Sequence, residues 1–171
     1  MTEECDIVFR KATSNDVDSI MEIVADAQRS LGDRGIDQWQ DGYPQRDRIK
    51  DDIRDGIGWI CELQGDIAGY AAIVINGEPE YENLEGEWLS TGNYVVVHRI
   101  CVRKKFVRHG VASALLRHAA KEAILQDVHS FKIDTHEKNQ YMLNLLEKFG
   151  FTYCGIVRYE HGKRVAFEKL L

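Results

Sequence analysis

The residues best suited to chemistry lie between Tyr94 and Lys121. This stretch contains Arg99, Arg103, Lys104, Lys105, Arg108, Arg117 and Lys121 and no Asp or Glu, in a chain whose formal net charge is −6. It reads as a β-branched strand, a basic loop that turns through Gly110, and a helix. A strand ending in such a loop presents the first amides of the next helix, and the positive end of its dipole, to an anion. The chemistry implied is the holding of a phosphate-bearing cofactor.

Two other stretches carry polar residues in unusual company. Gly35 to Pro44 contains Trp39, Asp41 and Tyr43 and little periodicity, so it reads as a loop. Its large aromatics either line a ligand pocket or, in the case of Trp39, plug the core. Residues 76–93 contain Glu78, Glu80, Glu82, Glu85 and Glu87 without a Lys or Arg. A solvated loop is the plain reading of that run, and attraction of a cationic substrate is the sharper one.

The elements that position these residues follow from periodicity. Ile7 to Lys11 reads as an opening strand. Thr13 and Ser14 start a helix over 14–31, with Asp16 and Asp18 in its first turn and Val17, Ile20, Met21, Val24, Ala27 and Leu31 at helical spacing. Gly32 and Gly35 stop it. A short helix fits Gln45 to Asp55, with Ile49 and Ile53 facing inward. Trp59 to Leu63 and Ile67 to Ile75 form a hairpin across Gln-Gly-Asp. Ala68, Gly69, Ala71 and Ala72 make its second strand small-sided, as where something packs closely over it.

The strand Tyr94 to Val102 follows, then a helix whose buried face is Ala112, Leu115, Leu116, Ala119 and Ala123. Phe131 to Asp134 is a short strand, and Asn139 to Phe149 a helix that Gly150 ends. Phe151 to Val157 and Arg164 to Leu170 close the chain as a hairpin around Glu-His-Gly-Lys. The order is β-α-α-β-β-β-α-β-α-β-β, without repeat or linker. That is one domain over 1–171, in the α+β or mixed-sheet α/β class.

Composition narrows the partners. With 171 residues, 44% hydrophobic and 29% charged, the chain has the make-up of an ordinary globular domain able to bury a full core. Its acidic balance argues against nucleic acid. Cys5, Cys61, Cys101 and Cys154 are far apart with no Cys/His ligand spacing, which reads as a reduced, intracellular protein without a metal. No apolar run approaches the roughly 18 residues that span a bilayer, and the acidic start MTEECDIVFRK is unlike a secretory leader. No membrane partner and a cytoplasmic location are expected.

Val107-Arg108-His109-Gly110-Val111-Ala112, with its preceding strand and following helix, resembles the acetyl-CoA signature of the GNAT N-acetyltransferases: Gln or Arg, two residues, Gly, one residue, then Gly or Ala. Gly110 and Ala112 match; Val107 stands where the family usually has Gln or Arg. A second segment, Asn139 to Ile156, is similar to the family's next helix and strand, and the element order agrees over the whole chain. The resemblance implies a mostly antiparallel central sheet splayed around the cofactor, with helices on both faces. It also implies acetyl-CoA as co-substrate and no metal. Gly110 permits a φ that side chains resist, so the amides of Arg108, His109, Gly110, Val111, Ala112 and Ser113 converge on the pyrophosphate. The resemblance further implies that the pantetheine arm pairs with the main chain of Ile100, Cys101 and Val102, and that Asn139 hydrogen-bonds the same arm.

Acetyl transfer needs a neutral amine, a polarised carbonyl and a proton for the departing thiolate. In the family, a base on the strand beside the thioester is one common arrangement. His98 is placed for it, with an ordinary pKa of about 6.5, on the face of Ile100 and Val102 and opposite Arg99 and Cys101. The alternative is a structural histidine bonded across the sheet. His136 is a second candidate base if Asp134 holds one of its tautomers; otherwise Asp134 or Thr135 caps the next helix. The family's acid, a Tyr seven residues after Asn139, is here Leu146, which leaves Tyr141, Tyr153 or water to substitute. Cys101, mid-strand and facing the core, is a poor nucleophile.

An N-acetyltransferase working by direct transfer to a primary amine of a small molecule or peptide leads. An acyl-CoA-binding module or sensor is the alternative, motivated by Val107 and Leu146. A dinucleotide-binding fold lacks its GxGxxG. Trp39, Asp41, Tyr43 and Glu87 are the candidate acceptor contacts, and the acidic residues among them point to a basic amine. A homodimer through the closing strands fits the sequence without being required by it.

Overall fold

The computed structural model describes residues 6–171; the acidic start and Cys5 lie outside the described residues. In chain order the first elements are β1 (Ile7–Lys11), α1 (Val17–Asp33), α2 (Arg46–Arg54), β2 (Gly58–Leu63), β3 (Asp66–Ile75) and β4 (Glu85–Gly86). The remainder are β5 (Val95–Val102), α3 (Val111–Leu125), β6 (Ser130–Thr135), α4 (Gln140–Lys148), β7 (Thr152–Tyr159) and β8 (Gly162–Leu170). The fold is mixed α/β with an eight-stranded sheet in the order β1-β2-β3-β5-β6-β8-β7-β4. β1–β2, β2–β3, β6–β8, β7–β8 and β4–β7 pair antiparallel, and β5–β6 is parallel.

The chain divides into two compact units, Met1–Ile73 with His98–His118 and Val74–Val97 with Ala119–Leu171. In the first, a hairpin turn at Gln64 (φ 55) and Gly65 (φ 80) joins β2 to β3 and sets Leu63 opposite Asp66. Two successive left-handed residues match the twist of the flanking strands. Ala12, Ile20, Ile23, Val24, Ile49, Ile60, Tyr70 and Cys101 form its core. Gly69 on β3 is where the small-sided strand matters. A Cβ there would lie 2.8 Å from Val111 Cγ1 and 3.2 Å from Leu115 Cδ1, so the first turns of α3 rest directly on β3.

In the second unit Tyr81, Val96, Val157 and Ala166 form a core, with Trp88, Tyr94 and Tyr159 packed around it. β6 pairs with β8 along its whole length, and its parallel pairing with β5 covers Val95↔Phe131 and Val96↔Lys132. Lys132 and Glu168 are cross-strand partners. The buried Glu168 carboxylate accepts from the Leu89 (2.6 Å) and Ser90 (3.3 Å) amides and from the Ser90 and Ser130 hydroxyls. Lys132 Nζ lies over the rings of Trp88 and Tyr94, 4.5 and 4.6 Å from their centroids.

Several boundaries differ from those expected. Residues 14–16 form a 3-10 turn, and Asp16 accepts both from the Thr13 amide and from Arg10, so α1 begins at Val17. α1 runs through Gly32, and the left-handed residue after it is Gly35 (φ 69). The Glu-rich stretch is not a plain loop: it contains a 3-10 helix, Pro79–Asn83, and β4. β4 escapes periodicity because it is two residues long, held where Gly86 and Gly155 approach so closely that a Cβ on either would strike the other's backbone. The closing hairpin is longer than expected and turns at Glu160 and His161.

Candidate active site

The loop after β5 has the backbone that its residue types demand. Residues 104–106 form a 3-10 turn, the His109 amide donates to the Phe106 carbonyl (3.1 Å), and Arg108 (φ 67) and Gly110 (φ 79) are both left-handed. The Ala114 amide donates to the Gly110 carbonyl (2.9 Å), the first bond of α3. The amides of Val111, Ala112 and Ser113 therefore precede the helix's own ladder, as the first N–H groups of any helix do. His109 leaves the expected set of amide donors, since its N–H serves the turn. No atom lies within 4 Å of where a Gly110 Cβ would be, so the loop crest is open.

The basic island divides once its partners are seen. Lys104 and Arg108 are exposed. Lys105 pairs with Asp66, and Arg103 donates to the Ile67 carbonyl (2.7 Å) and to Glu22. Arg99 does not belong to a phosphate surface: it is buried, with Nε and Nη2 each 2.7 Å from an Asp52 oxygen. Its Nη1 donates to the Tyr43 hydroxyl (2.9 Å), and Tyr70 donates to the same carboxylate (2.6 Å).

His98, Ile100 and Val102 are half-buried and Arg99 and Cys101 buried, the alternation expected of a strand. Burial, with Arg99 and Arg48 adding positive charge, lowers the His98 pKa from 6.5 to about 4, so its ordinary value does not apply here. Burial pushes the Cys101 thiol up to about 12, which removes it as a nucleophile at neutral pH. Trp39 is partly buried and packs on the core of the first unit, edge-on to Tyr43 at 6.4 Å between centroids. Asp41 is exposed and accepts from the Tyr43 amide (3.2 Å).

In the second unit Asn139 is the N-cap of α4; its side-chain oxygen accepts from the Met142 amide (3.3 Å). Neither Asp134 nor Thr135 is the cap. Asp134 accepts from the Tyr81 (2.7 Å) and Tyr159 (2.9 Å) hydroxyls, and burial raises its pKa. His136 Nδ1 accepts from the Lys138 amide (3.0 Å), which leaves Nε2 to carry the proton of the neutral ring. Tyr141 is 48% exposed in the first turn of α4, whereas Leu146 is fully buried. Tyr153 is exposed beside Phe167. Glu87 is exposed, with its amide on the Cys154 carbonyl.

The sequence profile of the acetyltransferase (GNAT) family matches residues 18–151. The chain belongs to this family. A GNAT-family acetyltransferase from Streptococcus agalactiae is 36% identical, with 96% of this chain and 95% of that one covered and a TM-score of 0.89. A GNAT acetyltransferase from Listeria monocytogenes (23% identity, 100% and 98% covered, TM-score 0.77) shares the fold. So does a ribosomal-protein-alanine N-acetyltransferase from Brucella melitensis (18%, 96% and 99%, TM-score 0.69). Among curated proteins no match to the chain is found.

Membership in the GNAT family makes the chain an acyltransferase of the N-acetyltransferase type, a family that typically uses acetyl-CoA. Among the described residues no group of three or more His, Cys, Asp or Glu could hold a metal ion, and no helix is long and apolar enough to cross a membrane. For this GNAT chain, residue-by-residue reading missed Asp52. It hides in the charged run Arg46–Asp55. One signal was available: Asp52 lies three residues after Ile49 and next to Ile53, on the helix's inward stripe.

Proposed function

We propose that the chain, acting as one N-acetyltransferase domain, moves the acetyl group of acetyl-CoA directly to a primary amine of a small molecule or peptide. The observation that carries this is the open, left-handed crest at Gly110 leading into the first amides of α3. These residues fit the group. The Val111, Ala112 and Ser113 amides, with Arg108, would hold the pyrophosphate. The main chain of Ile100, Cys101 and Val102, with Asn139, would hold the pantetheine arm. Bound there, acetyl-CoA supplies the activated thioester. His98, neutral at pH 7 with its pKa near 4, accepts a proton from the acceptor amine; His136, the second candidate, would first have to release the Lys138 amide from Nδ1. Tyr141 is the candidate donor for the departing thiolate, because buried Leu146 has no proton to give. Trp39 bears on the acceptor by holding its loop, while Asp41, Tyr43 and Glu87 are the acceptor contacts; exposed carboxylates favour a basic amine.

Two observations favour a second reading, an acyl-CoA-binding module. Leu146 is sealed in the core, and His98 is a weak base. Free-thiol release on mixing the protein with acetyl-CoA and a panel of polyamines, amino-acid amides and peptides decides between them. Acetyl transfer predicts amine-dependent release, reduced at least tenfold by Gly110→Val because a β-branched residue resists φ 79. Tight CoA binding with no thiol release from any amine supports the binding module.

A further inference from the structure

β5 contains a conformation that a strand does not need. Arg99 is left-handed (φ 54) in mid-strand, a state that a non-glycine residue keeps only when its surroundings over-determine it. The surroundings are on hand. The Arg99 side chain is 3% exposed and that of Asp52 1%, and they meet fork to fork with both contacts at 2.7 Å. Asp52 stands on α2 and also accepts from Tyr70 on β3 (2.6 Å), while the third Arg99 nitrogen donates to the Tyr43 hydroxyl (2.9 Å). Arg48 Nε lies 3.9 Å from Asp52 at the exposed side of the pair. One guanidinium thus joins β5, α2 and the Trp39–Pro44 loop, all within the first unit.

A buried ion pair adds little net stability over an apolar pair of the same volume. What it does supply is a single orientation, because the planar fork fits a carboxylate in one way. The residue so oriented follows His98 and precedes Ile100 to Val102. The geometry points to Asp52 as a positioning residue: through Arg99 it holds the left-handed turn that aims His98 and the Ile100–Val102 main chain, and through Tyr43 it seats the acceptor loop on the same frame. The functional half of this inference rests on the acetyl-transfer reading; the coupling of Asp52 to the backbone of β5 does not.

Three variants test it: Asp52→Asn, Tyr43→Phe, and Tyr70→Phe as a match for lost stability, since it removes a buried bond to the same carboxylate but spares the fork. The ligand-free protein is followed through the amide resonances of His98 to Val102. Steady-state constants are measured with acetyl-CoA and the amine that the wild type acetylates best, well below each melting temperature. Asp52→Asn is expected to move those resonances and lower kcat/KM at least tenfold. Tyr43→Phe is expected to raise the acceptor KM about tenfold with kcat nearly kept, as for one lost bond to a charged partner. Tyr70→Phe is expected to lower the melting temperature comparably with a much smaller change in kcat/KM. The inference is overturned if the resonances stay in place in Asp52→Asn, or if Tyr70→Phe loses as much kcat/KM at the same melting temperature. Should Asp52→Asn not fold, an unchanged acceptor KM in Tyr43→Phe overturns it. If the wild type turns over no amine while the resonances shift, acetyl transfer fails and the positioning by Asp52 stands.

Discussion

A histidine that receives a proton at neutral pH must first be unprotonated, and burial among positive charges ensures this for His98. With its pKa near 4, the imidazole is neutral throughout the physiological range and holds an incoming proton only briefly. The rate should therefore show no inflection near pH 6.5 from this residue; the acid limb should follow the acceptor amine instead. If His98 is the base, His98→Gln lowers kcat/KM by about 100-fold or more, whereas a purely structural histidine would move melting temperature and leave the rate largely intact. The same group has a stability signature with a definite sign. An unfolded histidine takes its proton near pH 6.5 and this one near 4, so between those values the unfolded state binds more protons and stability falls as pH falls. Asp134, raised by burial, acts in the opposite direction. The comparison is thus wild type against His98→Gln: denaturant midpoints should converge as pH drops from 6.5 to 4, and parallel curves would contradict the lowered pKa.

At the scale of elements, the placement of α3 depends on a missing side chain. Gly69 lets the helix start rest on β3, and an added Cβ would come 2.8 Å from Val111 Cγ1 and 3.0 Å from the Cys101 carbonyl. Gly69→Ala should therefore destabilise by about 1–3 kcal/mol through overpacking. Because Val111 is the first residue of α3, CoA should also bind several-fold more weakly in calorimetric titration; an unchanged affinity would show that the helix start does not set the phosphate site. This contact also shows what sequence can carry. Run-length and periodicity locate long elements such as α1, β3 and α3, and the run of small residues on β3 announces a close neighbour. They do not reach β4, whose two residues are held by a glycine-to-glycine crossing, 69 residues apart between Gly86 and Gly155. Nor do they settle Arg99, which strand alternation puts on the core-facing side with Cys101. Its charge type predicts solvent, and only Asp52, 47 residues away, reverses that. The left-handed turn at Gly110 was legible because backbone conformation there is a local property; the alignment of β5 was not, because it is fixed from another element.

For the whole molecule, the formal charge of −6 opposes the cofactor and favours a cationic acceptor. A polyanion approaching an acidic protein is repelled at long range, and local basic residues such as Lys104 and Arg108 act only within a Debye length, about 10 Å at 0.1 M salt. An acceptor carrying extra positive charge meets the reverse situation, attraction by the net field and by exposed carboxylates such as Asp41 and Glu87. The two substrates should therefore differ in salt dependence. Raising salt from 0.02 to 0.5 M, a range of order 10-fold or more in ionic strength, should lower kcat/KM severalfold for a diamine and much less for its monoamine analogue, which carries one positive charge fewer. An amino acid with a free carboxylate should be a poorer acceptor than its amide at low salt, and the gap should narrow as salt screens the field. The decisive measurement is the ordering of these acceptors at low salt. If the carboxylate-bearing amine is preferred, or if the diamine's kcat/KM rises with salt, the acidic residues do not guide the acceptor and a basic amine is the wrong class.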